Sequence, residues 1–92
     1  MQYEWDERKR LSNLKKHGLD FVDVVTVFEA PHIMTPSVYV GVEKRYLATG
    51  LFEGRYVTIV YTKRGDFIRI ISFRRARHEE RQEYKKLYSG GT

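Results

Sequence analysis

The sequence predicts an α+β domain with two N-terminal helices, an antiparallel β-meander of about four strands and a C-terminal helix. Three observations predict it. Capped, amphipathic segments occupy the first thirty positions. Runs rich in aromatic and β-branched residues, broken at Glu53-Gly54 and at Lys63 to Asp66, fill the middle. Apolar positions then recur every three or four residues from Ala76 to Tyr88. Helices and strands segregated in this way imply helices packed on one sheet face. With 92 residues, 41% of them hydrophobic, the chain 1–92 reads as a single domain around one modest core.

The first helix is expected over 7–17. Asp6 is placed to cap it, Glu7 favours the positive end of the helix dipole, and Lys15, Lys16 and His17 fill the last turn before Gly18. Asp20 caps a second helix that presents Phe21, Val24, Val25 and Phe28 at helical spacing and stops at Ala30-Pro31. The β-branched run Val24 to Val27 leaves a strand as the alternative. A short strand follows over 32–35, ended by Pro36, then a loop over 37–43, with a partly extended course as the alternative. Strands over 44–52, 55–62 and 67–73 are joined by tight turns and form antiparallel neighbours. The last helix spans 75–88, and 89–92 is a frayed tail.

The net charge is +5, and its position is informative. Residues 1–62 hold eight Lys/Arg and eight Asp/Glu, whereas 63–92 hold nine against four. A basic end on a neutral body suggests an acidic partner, either nucleic acid or an acidic protein, and a solvated charged helix is the plainer reading. No cysteine is present, which excludes disulfides and thiol-based metal or nucleophile chemistry. No apolar run is long enough to cross a membrane, and Met-Gln-Tyr-Glu-Trp-Asp is no secretory core, so a cytoplasmic protein is expected. His17, His32 and His78 fall in no metal-ligand spacing, and no cofactor motif is present.

In order along the chain, Tyr3-Glu4-Trp5-Asp6, Lys16-His17-Gly18 and Phe28 with Pro31 resemble the N-terminal half of the BrnT toxins. Glu43-Lys44-Arg45-Tyr46, Gly50, Tyr61 to Gly65, Arg69 to Ala76, Glu80 and Tyr84 resemble the remainder. The resemblance implies a RelE-like fold and a ribonuclease that stops translation. It also implies a ribbon-helix-helix antitoxin, BrnA, which neutralises the toxin and binds operator DNA with it.

RNA cutting without a metal uses the 2′-hydroxyl as nucleophile. It needs a base, an acid and cations that stabilise the phosphorane. Arg69 is the most suggestive residue, because it interrupts an apolar strand. Strict alternation puts it on one face with Phe67, Ile71 and Phe73. It is either a phosphate clamp or half of a structural ion pair, for example with Glu80. Arg45, Arg64, Arg74 and Arg75 are further candidate phosphate ligands, and one of the last two is expected to face the cleft. His17, Glu43 and Tyr61 are the candidate acid–base groups, each with a plain alternative: charge at a helix end, a loop carboxylate, core packing. Glu80 lies on the apolar stripe of the last helix and reads as the partner that orients an arginine. A non-catalytic nucleic-acid-binding or protein-interaction module is the alternative function.

Overall fold

A computed structural model describes residues 2–88, and of Ser37 only the backbone; the expected tail at 89–92 lies outside the described residues. Helix α1, Glu7–His17, has the expected limits. The Asp6 carboxylate accepts from the Arg8 N–H at 2.8 Å, and Gly18, at φ 71°, returns its N–H to Leu14. The second helical segment divides. A 3-10 turn over Phe21–Asp23, capped by Asp20, leads into α2, Val24–Glu29. The helical alternative for Val24 to Val27 prevails because Phe21, Val24 and Val27 all bury against the sheet, and tertiary burial outweighs β propensity.

The sheet has five strands in the order β1-β5-β4-β3-β2: β1 Gln2–Glu4, β2 His32–Val40, β3 Glu43–Phe52, β4 Arg55–Arg64 and β5 Phe67–Arg75. The last four form the expected antiparallel meander. Two corrections follow from edges. The strand expected to end at Pro36 continues to Val40, with a register irregularity between Pro36 and Tyr39 that absorbs the proline; β2 is an edge strand, where a missing N–H donor is tolerated. The N-terminal β1, absent from the sequence expectation, pairs parallel with β5. Three residues carry too little periodicity to reveal a strand, and its partner is more than sixty positions away.

Leu19, Phe21, Val24 and Val27 pack on Ala48, Val57, Ile59, Tyr61, Ile68, Ile70 and Phe73 to form the core. Burying each large apolar side chain contributes about 1.5–3 kcal/mol. Gly50 permits the close approach of this layer, since a Cβ there would stand 3.3 Å from both Val27 Cγ1 and the Pro31 carbonyl. Beyond β1, the edge of β5 is closed by a side chain. Buried Asn13 accepts from the Phe73 N–H and donates to the Phe73 and Leu19 carbonyls, completing the hydrogen bonds that a strand would otherwise supply.

The third helix, α3, spans His78–Tyr88, three residues later than expected at its start. It does not join the other helices. Its residues Glu80 and Tyr84 meet Thr58 and Tyr56, which alternate with core-facing Val57 and Ile59 and so lie on the opposite side of the sheet. The expectation of helices on one face is therefore corrected: α1 and α2 cover one face, and α3 covers part of the other.

Candidate active site

One irregularity in the ladder decides where the arginines point. Strands β4 and β5 pair Val60 with Ser72 but Tyr61 with Ile70, leaving Ile71 as an extra residue. A one-residue insertion reverses the alternation across it. Ile68 and Ile70 face the core before the bulge, and Phe73 faces it afterwards. Arg69, Ser72 and Arg74 consequently share the opposite face, and the expected grouping of Arg69 with Phe73 is corrected.

On that face Arg69 lies beside Thr62 of β4 and Glu4 of β1. Continuing the ladder that pairs Tyr46 with Tyr61 brings Arg45 of β3 to the other side of Thr62. The row therefore crosses four strands, and Thr62 is pinned within it by donating to the Lys44 carbonyl at 2.8 Å. Arg69 Nη1 donates to Glu4 Oε2 at 3.0 Å, Arg64 Nη1 stands 3.7 Å from the same oxygen, and Arg45 Nε lies 3.3 Å from Glu43 Oε1. The suggested Arg69–Glu80 pair is thus replaced by Arg69–Glu4. Three guanidiniums face two carboxylates, and all five side chains are 30% exposed or more. Pairs this wet contribute at most about 1 kcal/mol each, so a phosphate can replace a carboxylate at little cost, and each guanidinium has donors to spare.

Arg74, on the same face, is held differently. It makes two bonds to Glu80, at 2.9 and 3.0 Å. Glu80 Oε1 also accepts from the Thr58 hydroxyl at 2.9 Å and the Arg77 N–H at 2.7 Å, the second of these closing the first turn of α3. Burial alone would raise the Glu80 pKa, but these donors outweigh it and hold the carboxyl at about 2. Arg74 therefore docks α3 onto the sheet and is consumed in doing so. Arg75 lies opposite Val57, on the side of the sheet away from the row. Neither joins the open arginine cluster, contrary to the expectation that one of them does.

His17, at the end of α1, lines a cleft with Lys16, Ile71 and Ser72 along β5. Burial, then the charges of Lys16 and Arg74, lower its pKa, so it is neutral at physiological pH and contributes no cation to the helix end. Glu43 stands at the start of β3, beside Arg45 in the row. Tyr61 is 1% exposed, and its hydroxyl donates to Met34 Sδ. Burial, with Tyr46 adding, raises its pKa. It is a core side chain, edge-on to Phe28 and stacked on Tyr46, as the packing alternative expects.

Sequence reasoning missed Glu4, Thr62 and Tyr46. Glu4 is invisible without β1. Tyr46 carries a signal in retrospect, since it is an aromatic residue between two cationic strand positions, Lys44 and Lys63, whose ammonium groups lie over its ring. Among the described residues no group of His, Asp or Glu is placed to hold a metal ion, and no helix is long and apolar enough to cross a membrane.

A family model described as the ribonuclease toxin, BrnT, of a type II toxin-antitoxin system matches residues 5–80. The chain belongs to the BrnT family. As a BrnT protein it is a ribonuclease toxin, and a type II system implies an antitoxin partner and an RNA target. The match takes in His17, the row from Glu43 to Arg69 and the Arg74–Glu80 pair, and it begins one residue after Glu4. A search of curated proteins found no match.

Proposed function

We propose that this BrnT chain, as a single RelE-like domain over 1–92, is a metal-independent endoribonuclease that stops translation. The observation that carries the reading is the convergence of Arg45, Arg64 and Arg69, from three strands, on a stretch of sheet that α3 leaves uncovered. Cationic forks at this spacing suit successive phosphates of a single strand. In the reaction, the 2′-oxygen forms a bond to the adjacent phosphorus and the bond to the 5′-oxygen breaks, giving a cyclic 2′,3′-phosphate and a 5′-hydroxyl. Glu43, beside Arg45, takes the 2′-hydroxyl proton, and solvent water protonates the departing 5′-oxygen. Arg69 moves from Glu4 to the phosphorane and stabilises its added negative charge. Arg45 and Arg64 hold the flanking backbone, and Arg74 keeps α3 in place. His17 and Tyr61 take no step in this scheme.

The partner is a BrnA-like ribbon-helix-helix antitoxin that covers the arginine face in the cytoplasm and carries the pair to operator DNA. The test incubates purified protein with RNA in excess chelator. Wild-type protein cuts, and Arg69→Gln cuts at least about a hundredfold more slowly while melting within about 8 °C of wild type. Intact RNA at micromolar wild-type protein overturns the proposal and leaves a nucleic-acid-binding module that does not cut.

A further inference from the structure

At the same end of the sheet, but on the core-side face, lies a second cationic group that the arginine row does not use. Alternation along β3 puts Lys44 on the side of Tyr46, and alternation along β4 puts Lys63 on the side of Tyr61. Extending the Tyr46–Tyr61 ladder by two residues sets the two lysines directly opposite each other. Like charges facing across strands are destabilising, and among the described residues neither lysine forms an ion pair. Both instead lean on the Tyr46 ring, with ammonium groups 5.4 and 4.9 Å from its centroid. Beneath the ring lies buried Tyr61, stacked at 5.5 Å and fixed in the core. An open cleft of about 190 Å³ is lined by Lys44, Tyr46 and Lys63 together with Glu43, Thr62 and Arg64 from the arginine face, and Arg64 also reaches Glu4 there.

We propose that Tyr46, Lys44 and Lys63 form a subsite for one unpaired nucleotide of the RNA, outside the cleavage row and joined to it through Arg64. This rests on the ribonuclease reading above. The nucleobase lies on the outer face of the Tyr46 ring, which Tyr61 supports from below, and the two lysines swing from the ring to the nucleotide's phosphate. Flexible lysines over a half-buried ring form a weak contact that an incoming base displaces, and the phosphate relieves the repulsion between them. Stacking accepts any base but requires one that is out of a helix. The subsite therefore favours single strands over duplex without selecting a sequence.

The test measures binding of a fluorescent 2′-O-methyl RNA 10-mer, whose blocked nucleophile prevents cutting, alone and annealed to its complement. Tyr46→Leu is expected to weaken single-strand binding about tenfold and leave duplex binding unchanged, while Tyr46→Phe stays within about twofold of wild type. The Lys44→Gln/Lys63→Gln double variant is expected to reduce the salt dependence of binding by about 0.7 in log–log slope, the share of the one phosphate the two lysines hold. Should Tyr46→Leu fail to fold, this slope together with the Phe variant decides the matter. Wild-type single-strand affinity in Tyr46→Leu, or an unchanged slope in the lysine variant, overturns the subsite. Cleavage of unmodified RNA is followed in parallel. If wild type cuts and Arg69→Gln is slowed at least about a hundredfold, a Tyr46→Leu protein with full affinity removes the subsite alone. If wild type neither binds nor cuts, the ribonuclease reading falls with it. If Tyr46→Leu keeps RNA affinity but releases a co-expressed antitoxin, the cluster is a protein contact and the RNA subsite is wrong.

Discussion

Strand β5 carries two arginine–glutamate pairs on one face, five residues apart, and they are built for opposite ends. Arg69 and Glu4 are 32% and 30% exposed and share one hydrogen bond. Arg74 and Glu80 are 14% and 15% exposed, joined by two bonds and braced by Thr58 and the Arg77 N–H. Water decides the difference. An ion pair with access to solvent can trade partners, whereas a pair beneath a helix cannot lose one member without stranding the other's charge. The same two residue types thus serve as an exchangeable phosphate grip in one place and as a fastener in the other.

The largest expected effect breaks the fastener. Arg74→Ala leaves Glu80 with a desolvated charge and is expected to cost about 3–5 kcal/mol in a denaturant titration. Arg74→Met with Glu80→Leu is expected to cost less than either single change, because no charge remains buried. Equal losses in the double variant and in each single would show that the helix is held by something other than the pair.

Next in size is the grip. Arg69→Gln is expected to lower the cleavage rate about 10²–10³-fold, as for loss of one transition-state donor, while changing stability by less than about 1 kcal/mol. A large loss of stability there would make Arg69 a second fastener and erase the contrast.

Acid sharpens the same comparison. Glu80 has a pKa of about 2 in the fold against 4.5 as an unperturbed side chain. The unfolded chain therefore binds the extra proton first, and stability rises with pH across that interval. The pair's contribution is complete above pH 4.5 and is lost as pH falls to 2, roughly 3 kcal/mol in all. Glu80→Gln is expected to flatten this part of the stability profile. His17, whose pKa is lowered, has the same sign: its native form is neutral, so it adds a shallower loss of stability below its ordinary value of 6.5, which His17→Gln removes.

The smallest effect is at Tyr61. Tyr61→Phe deletes a hydroxyl that, among the described residues, bonds only to Met34 Sδ and is expected to change stability by about 1 kcal/mol or less and leave cleavage within about twofold. Loss of cutting with an intact fold would restore Tyr61 to the reaction.

Local chemistry was legible where it acts locally. The limits of α1 followed from Asp6 and Gly18, and the two later hairpins from Glu53-Gly54 and the turn at Gly65, because a cap or a turn is satisfied by its near neighbours. Edge positions were less legible. Pro36 reads as a stop, yet an edge strand passes through it. The candidate site was the least legible, since Arg69 could be singled out as an arginine in an apolar strand but its partner could not.

By its sequence alone this protein was determined to be an α+β chain with a meander, a basic C-terminal third and arginines distributed among the strands, and its ordered motifs already carried the likeness to BrnT. Only the tertiary structure decided which arginines meet. A bulge at Ile71 sets the face they share, a three-residue strand brings Glu4 to Arg69, and α3 crosses to the far side of the sheet to claim Arg74. Caps and turns depend on residues a few positions apart, whereas which pair stays wet and which is sealed depends on segments brought together from opposite ends of the chain.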